Sequence, residues 1–166
     1  MLAMSLVVAG ILLRFIPHAP NFTPVAAIAL FSGAYLDRKY AIIVPLLLMA
    51  VSDFFIGMHN VFLFTWGAFV LSALLGALLR EKKGVLRIAG ISFSASLVFF
   101  VVTNFGVWAM GWYPQTLNGL VDCYILALPF LRDFTVSTLI YSAFLFSAHE
   151  LIAVFVRKTK LAKVLL

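Results

Sequence analysis

Charge is what this chain has least of. Only 11% of its 166 residues are Asp, Glu, Lys or Arg, while 64% are hydrophobic, and the mean hydropathy is +1.14. A soluble domain of this length cannot hide so much apolar surface, so the composition excludes a water-soluble globule and makes lipid the solvent for most side chains. A single cysteine, Cys123, excludes an internal disulfide and leaves the redox compartment open. Cys-x-x-Cys and His-x-x-Glu-x-x-His-like spacings are missing, so no local metal motif is present. No glycine-rich phosphate loop exists, so the chain has no visible means of using ATP itself. No lysine falls in mid-span, which removes the attachment point for a retinal Schiff base. Ser52 before Asp53 is not a triad, since neither nearby histidine can be placed as its base.

What is present is a series of long apolar runs. They are continuous rather than alternating, which argues for helices and against barrel strands. The reading is an all-α membrane protein: one polytopic domain over residues 1–166, a compact bundle of about six transmembrane helices. The first run, Met1–Leu13, has no basic residue before it and no Ala-x-Ala site after it, so it reads as a retained short helix and not a signal peptide. The second, capped by Thr23 with Pro24 as its first helical residue, ends near Leu36 and is also short. This pair either spans or forms a re-entrant hairpin. Further helices are expected over Tyr40–Ile56 with a kink at Pro45, Val61–Leu79, Ile88–Met110 and Phe134–Val156. Cys123–Leu131 is apolar but too short to span, and reads as an interfacial or re-entrant segment.

Orientation follows from the cations. Arg38, Lys39, Arg80, Lys82, Lys83, Arg87, Arg157, Lys158, Lys160 and Lys163 fall on one side of a six-helix bundle. Only Arg14 and Arg132 fall opposite. The positive-inside rule then puts both termini in the cytoplasm. Because these cations sit at helix ends, the formal charge of +6 reports topology, and no nucleic-acid partner is expected.

Polar residues within the spans are costly and need a partner or a purpose. Asp53 lies about 20 Å along its helix from Tyr40, and Asn104 about 24 Å from Ile88, so both belong toward the outer surface. Asn104 and Trp108 share a helical face. The outer connections add Arg14, His18 and Asn21, then His59 and Asn60, then Trp112, Tyr113, Gln115, Asn118, Asp122 and Tyr124. Aromatic walls with a few orienting polar groups are how small-molecule sites are built. The candidate ligand-binding residues are therefore Arg14, His18, Asn21, Asp53, His59, Asn104, Trp108, Tyr113 and Tyr124.

Each has a plainer reading. Arg14 can pair with Asp53 or Asp122 only to neutralise charge. His18 can cap the second helix, Asn21 can be a turn residue, and His59 can be loop chemistry. Trp112 and Tyr113 can form an interfacial belt. His149 and Glu150 fall about 22 Å beyond Phe134, near the cytoplasmic end, where local pairing or interfacial exposure competes with a proton-coupling role. Arg132 and Asp133 read as a solvated pair at a helix start. The small residues Ala68, Ser72 and Gly76, with Ser92 and Ser96, let helices approach closely, within the bundle or against a partner.

Several stretches resemble an uncharacterised family of bacterial membrane proteins. They are Leu13–Pro24 leading into Ala26–Tyr35, then Ser52–His59, Thr103–Trp108, and Gly119–Leu120 through Pro129–Phe130. Together they cover nearly the whole chain. That family in turn looks like the S components of energy-coupling-factor (ECF) vitamin transporters, through its helix number and Pro-rich first loop. The resemblance implies an outward cavity roofed by the loop between the first two helices. Two departures stand out: Ser137 and Thr138 occupy the place of a Gly-Asp pair, and Ser5-x-x-x-Ala9 replaces the Ala-x-x-x-Ala motif by which S components dock on their scaffold.

The expected function is a substrate-binding subunit of the bacterial inner membrane. It would capture a small aromatic or heterocyclic, vitamin-like molecule from outside, with no cofactor of its own. Its partners would be the bilayer, the ligand, and an ECF-type transmembrane scaffold with ATPases. Two alternatives stand beside it. One is an intramembrane enzyme or metal-binding protein using His18, Asp53 and His59; the other is a structural or assembly subunit of a membrane complex.

Overall fold

A computed structural model describes residues 2–16 and 21–156. Six α-helices follow one another: α1 (Leu2–Phe15), α2 (Val25–Tyr35), α3 (Arg38–Ile56), α4 (Phe62–Gly76), α5 (Val85–Ala109) and α6 (Leu117–Val156), with a 3-10 turn at Ala77–Leu79 extending α4. Among the described residues there is no strand. The chain is an all-helical membrane protein. Four helices are long and apolar enough to cross a bilayer: α3, α4 with its extension, α5 and α6. The two expected to be short are short, at 14 and 11 residues, or about 21 and 16 Å of rise.

Helix α2 sits at the centre. Apart from Ser32 it is apolar on every face that Val25 through Ala34 present, and all of these residues are buried, as expected of a helix with no solvent face. Its tightest neighbour is α4. A Cβ on Gly33 would overlap the carbonyl of Ala73, and one on Gly76 would overlap the carbonyl of Leu30. The two backbones therefore touch where neither residue has a side chain. The small residues Ala68, Ser72, Ser92 and Ser96 are all 0% exposed, so these stripes pack inside the bundle.

The carboxyl end of α2 is held by the basic loops. Arg80 Nε donates to Gly33 O at 2.9 Å and Nη2 to Leu36 O at 2.7 Å, supplying partners for helix-end carbonyls that lack them. Lys83 Nζ lies 4.9 Å from the Tyr35 ring centroid. The Tyr35 hydroxyl donates to Glu150 Oε1 at 2.8 Å, and the His149 ring packs on Tyr35 with centroids 3.9 Å apart. His149 and Glu150 thus join α6 to α2 at this end, in the local pairing that their position suggests.

Three expectations need correction. Thr23 does not cap α2: Pro24 itself takes the N-cap position in helical conformation, and the Thr23 hydroxyl, one residue too far out, has no partner among the described residues. The segment Cys123–Leu131 is not separate, because α6 runs unbroken for 40 residues through Pro129. A proline kinks a helix without ending it when the turns on both sides are fixed. Here Tyr124 donates to Val101 O at 2.7 Å on one side, and on the other Phe134 stacks on Phe99 at 4.1 Å. Arg132 and Asp133 consequently lie within α6, not at its start. Arg157, Lys158, Lys160 and Lys163 fall outside the described residues.

Pro45 is accommodated by a partner. Lacking an N–H, it leaves the Ala41 carbonyl without its helical donor. Buried Ser32 of α2 donates to that carbonyl at 3.1 Å, sharing the hydroxyl with Ala29 O at 2.8 Å. Ser32→Ala should lower stability by about 1–3 kcal/mol, the penalty for an unmet buried acceptor. In a Pro45→Ala background, where residue 45 can donate again, the same change should cost clearly less. A double-mutant cycle from detergent unfolding curves measures the difference; equal losses in both backgrounds would show that Ser32 does not serve this carbonyl.

Candidate ligand-binding cavity

Because α2 rises only about 16 Å, the bundle has no central helix beyond its amino end. The space left there is a cavity of about 550 Å³, within the range of small-molecule pockets. Asn21, Thr23 and Val25 border it at that amino end. The carboxyl end of α2 meets Arg80 and Lys83, so the cavity and the basic loops occupy opposite ends of the bundle.

The floor is aromatic. Phe69, Phe99 and Phe134 are the wall residues of α4, α5 and α6 that lie nearest the basic end. Phe99 and Phe134 stack at 4.1 Å with an 18° interplanar angle, and Phe69 lies 5.0 Å from Phe99. Above it, α5 contributes Phe100, Thr103, Asn104 and Val107, at the spacing of one helical face. Helix α6 contributes Cys123, Leu126, Ala127, Phe130 and Leu131 in the same way. Between Cys123, which touches Asn104, and Phe134, which stacks on Phe99, α6 advances eleven residues while α5 advances five. So α6 leaves α5 at an angle around Pro129, and the bowed stretch makes one wall.

A buried ion pair forms the opposite wall. Arg14 Nη1 lies 2.7 Å from Asp53 Oδ1 and also contacts Ser52 Oγ at 2.6 Å and Met49 Sδ at 3.0 Å. Asp53 is 1% exposed, and its second oxygen accepts from Trp66 Nε1 at 2.9 Å. Both carboxylate oxygens are therefore engaged, as a charge in a low-dielectric interior requires. Arg14 faces the cavity and Asp53 stands behind it. Charge neutralisation, the plainer reading of Arg14, is present in the structure, and Arg14 is a wall residue as well.

At the mouth two loops meet. Trp112 Nε1 donates to Asn60 Oδ1 at 3.2 Å, tying the α5–α6 loop to the α3–α4 loop. His59 and Tyr113 flank this contact on the wall, and the His59 Nδ1 atom is buried with no partner among the described residues. Asn21 adopts φ +60°, a left-handed turn that asparagine tolerates better than most residues. It is both turn and wall.

Of the nine candidates, Arg14, Asn21, His59, Asn104 and Tyr113 border the cavity. Asp53 does not touch it but holds Arg14. Trp108 is off the wall: its indole N–H donates to Pro114 O at 3.0 Å, and its carbonyl accepts from Gln115. It braces the α5–α6 loop, although it follows Asn104 by one helical turn. Tyr124 is also off the wall, its hydroxyl donating to Val101 O across the α5–α6 contact. His18 lies outside the described residues. Thr23, Thr65, Thr103, Met49 and the three floor phenylalanines were not candidates, yet they border the space. The helical spacing of Phe99, Thr103 and Val107 marks a common face, but nothing in it says whether that face meets lipid, protein or a void. Among the described residues no three His, Cys, Asp or Glu side chains converge to hold a metal ion.

Fold and cavity together define a helical membrane protein with a polar-aromatic chamber at one end of its bundle. The chain belongs to a family of unknown function (DUF6580), whose model matches residues 1–161. No curated protein and no solved structure matches it.

The Trp66–Asp53 bond offers a clean test of the ion-pair wall. Trp66→Phe keeps an aromatic ring at that position and removes one donor from a buried carboxylate. It should cost about 1.5–3 kcal/mol, the range for hydrogen bonds to charged groups. Detergent unfolding curves measure it, and a loss under about 0.5 kcal/mol, no more than an ordinary surface substitution, would contradict the assignment.

Proposed function

We propose that this chain is the substrate-capture subunit of a membrane uptake system. It binds a small aromatic or heterocyclic molecule in the chamber, from the non-cytoplasmic side. The observation that carries this reading is the chamber itself: about 550 Å³, aromatic below, polar at mid-height, and placed at the end away from the basic loops. By the positive-inside rule that end faces outward. Flat rings fit the stacked floor of Phe69, Phe99 and Phe134, and Asn104, His59 and Arg14 supply the orienting hydrogen bonds.

The likeness to ECF S components belongs to this reading. A separate ATP-driven module would supply the energy, since no phosphate-binding loop is present in the sequence. Met4, Val8, Ala9 and Leu12 lie on the outward face of α1, an apolar face on which such a scaffold could pack. An acid–base enzyme draws less support, because both oxygens of Asp53 are already engaged.

Native mass spectrometry of gently extracted protein should find a small organic molecule retained at one copy per chain. Asn104→Ala and Phe99→Ala should each weaken retention about tenfold, the scale of one lost hydrogen bond or ring contact. If the wild-type protein holds no such molecule, and ATP-dependent uptake in cells is unaffected by deleting it, the capture role is wrong.

The mouth contact gives a kinetic prediction. Trp112→Ala removes both the indole cover and the bond to Asn60. Ligand release should then speed up about five- to tenfold with little change in the rate of entry, since affinity differences sit mostly in dissociation. Stopped-flow displacement of the retained molecule measures both rates; unchanged release would show that Trp112 does not cover the site.

A further inference from the structure

We infer that the chamber selects an uncharged ligand carrying an amide-type edge, and that the Arg14–Asp53 pair is the device that sets this selection. The inference rests on the capture reading and adds the chemical class of the ligand to it.

The first support is the charge balance of the wall. Among the described residues bordering the chamber there is no Asp, Glu or Lys, and Arg14 is the one guanidinium. Its charge is met by Asp53 at 2.7 Å, immediately behind the wall. A carboxylate or phosphate entering the chamber would have to share Arg14 with Asp53, bringing two anions against one cation beside a carboxylate that is 1% exposed. An ammonium would meet Arg14 with no carboxylate of its own, because Asp53 is 1% exposed and both its oxygens are engaged. Each sign of ligand charge is thus left unbalanced, and an unbalanced buried charge is strongly disfavoured.

The second support is the hydrogen-bond inventory. All the contacts of Arg14 described above use Nη1. Its Nε and Nη2 groups have no partner among the described residues, and remain donors for a ligand carbonyl. Asn104 Nδ2 donates to Phe100 O at 2.8 Å, which leaves its Oδ1 as an acceptor and its second N–H as a donor. Thr65 and Thr103 donate to their own helix, at Val61 O and Phe99 O, so on the chamber side they can only accept. The wall therefore presents donors from Arg14 and Asn104, acceptors from Asn104, Thr65 and Thr103, and the unpartnered Thr23 hydroxyl and His59 Nδ1, which serve in either sense. A neutral group that both accepts and donates, as an amide, lactam or ureide edge does, satisfies both. A carboxylate satisfies only the first.

Benzamide and benzoate test this, being nearly the same shape and differing in charge and in the N–H donor. Equilibrium dialysis of radiolabelled probes against detergent-solubilised full-length protein at pH 8, where free benzoate is ionised, should show wild type preferring benzamide by about tenfold or more. Asp53→Asn leaves the guanidinium without its counter-charge, and should invert the preference toward benzoate. The double variant Arg14→Gln/Asp53→Asn restores a neutral wall and should return the preference to benzamide. That return also separates a charge effect from loss of folding. Equal or tighter benzoate binding by wild type, or a preference that does not change in Asp53→Asn, overturns the inference, as does binding of neither probe. A retained natural molecule that proves to be an organic anion or cation would overturn the ligand class while leaving substrate capture standing.

Discussion

One short helix governs the rest of this architecture. α2 is 11 residues long and buried on every side, so it cannot act as an ordinary span, and the other helices must enclose it. Its contact with α4 has no slack, since Gly33 and Gly76 bring main chain against main chain. Its carboxyl end is held by Arg80 and by the Tyr35–Glu150 bond. With that end anchored among the basic loops, all the missing length falls at the other end. The cavity is thus what remains when a helix of about half the bilayer thickness fills the centre of a full-height bundle.

That arrangement explains why charged groups collect where they do. The void cannot be filled by apolar side chains from α2, so the surrounding helices and loops line it, and some of their polar groups lie at membrane depth. Each such group needs a partner. Asp53 of α3 finds two, Arg14 of α1 and Trp66 of α4, so the ion pair and its indole donor also set how these three helices meet at this end. Replacing the pair by apolar residues of the same volume is the change that often leaves stability unharmed. On the proposed reading, the pair is understood through what it presents to the chamber.

Much of the fold was legible because hydrophobic runs mark helices directly. Five of the helices lie close to where those runs predict, and the shortness of the first two follows from counting residues against bilayer thickness. The misreading of α6 has a physical cause. Pro129 and the charged Arg132–Asp133 pair look like a break, but tertiary contacts on both sides of the proline hold one helix together. The depth of Asp53 and Asn104 was accessible from helical rise, because polar residues in apolar runs stand out. The floor was not accessible for the opposite reason. Phe69, Phe99 and Phe134 have the same apolar character as the exposed Phe93, Leu97 and Val101, and only the absence of a helix between them makes them a surface. Trp108 failed differently: its spacing from Asn104 was read correctly, but the following loop takes its N–H.

The same geometry bears on how a captured molecule would move. Below the floor, α2 is packed without interruption down to the basic loops, with Ala26, Ala27, Ala29 and Leu30 all 0% exposed. A ligand resting on Phe99 could not descend unless α2 itself moved, and α2 is the element whose backbone contact with α4 leaves least room. Opening a path through the chain would therefore disrupt the most closely packed part of the bundle. Moving the whole bundle relative to the membrane, with the ligand still in place, would leave that packing intact. On the proposed reading, translocation would then fall to an external module, since the sequence has no phosphate-binding loop and the core of the bundle is itself the barrier.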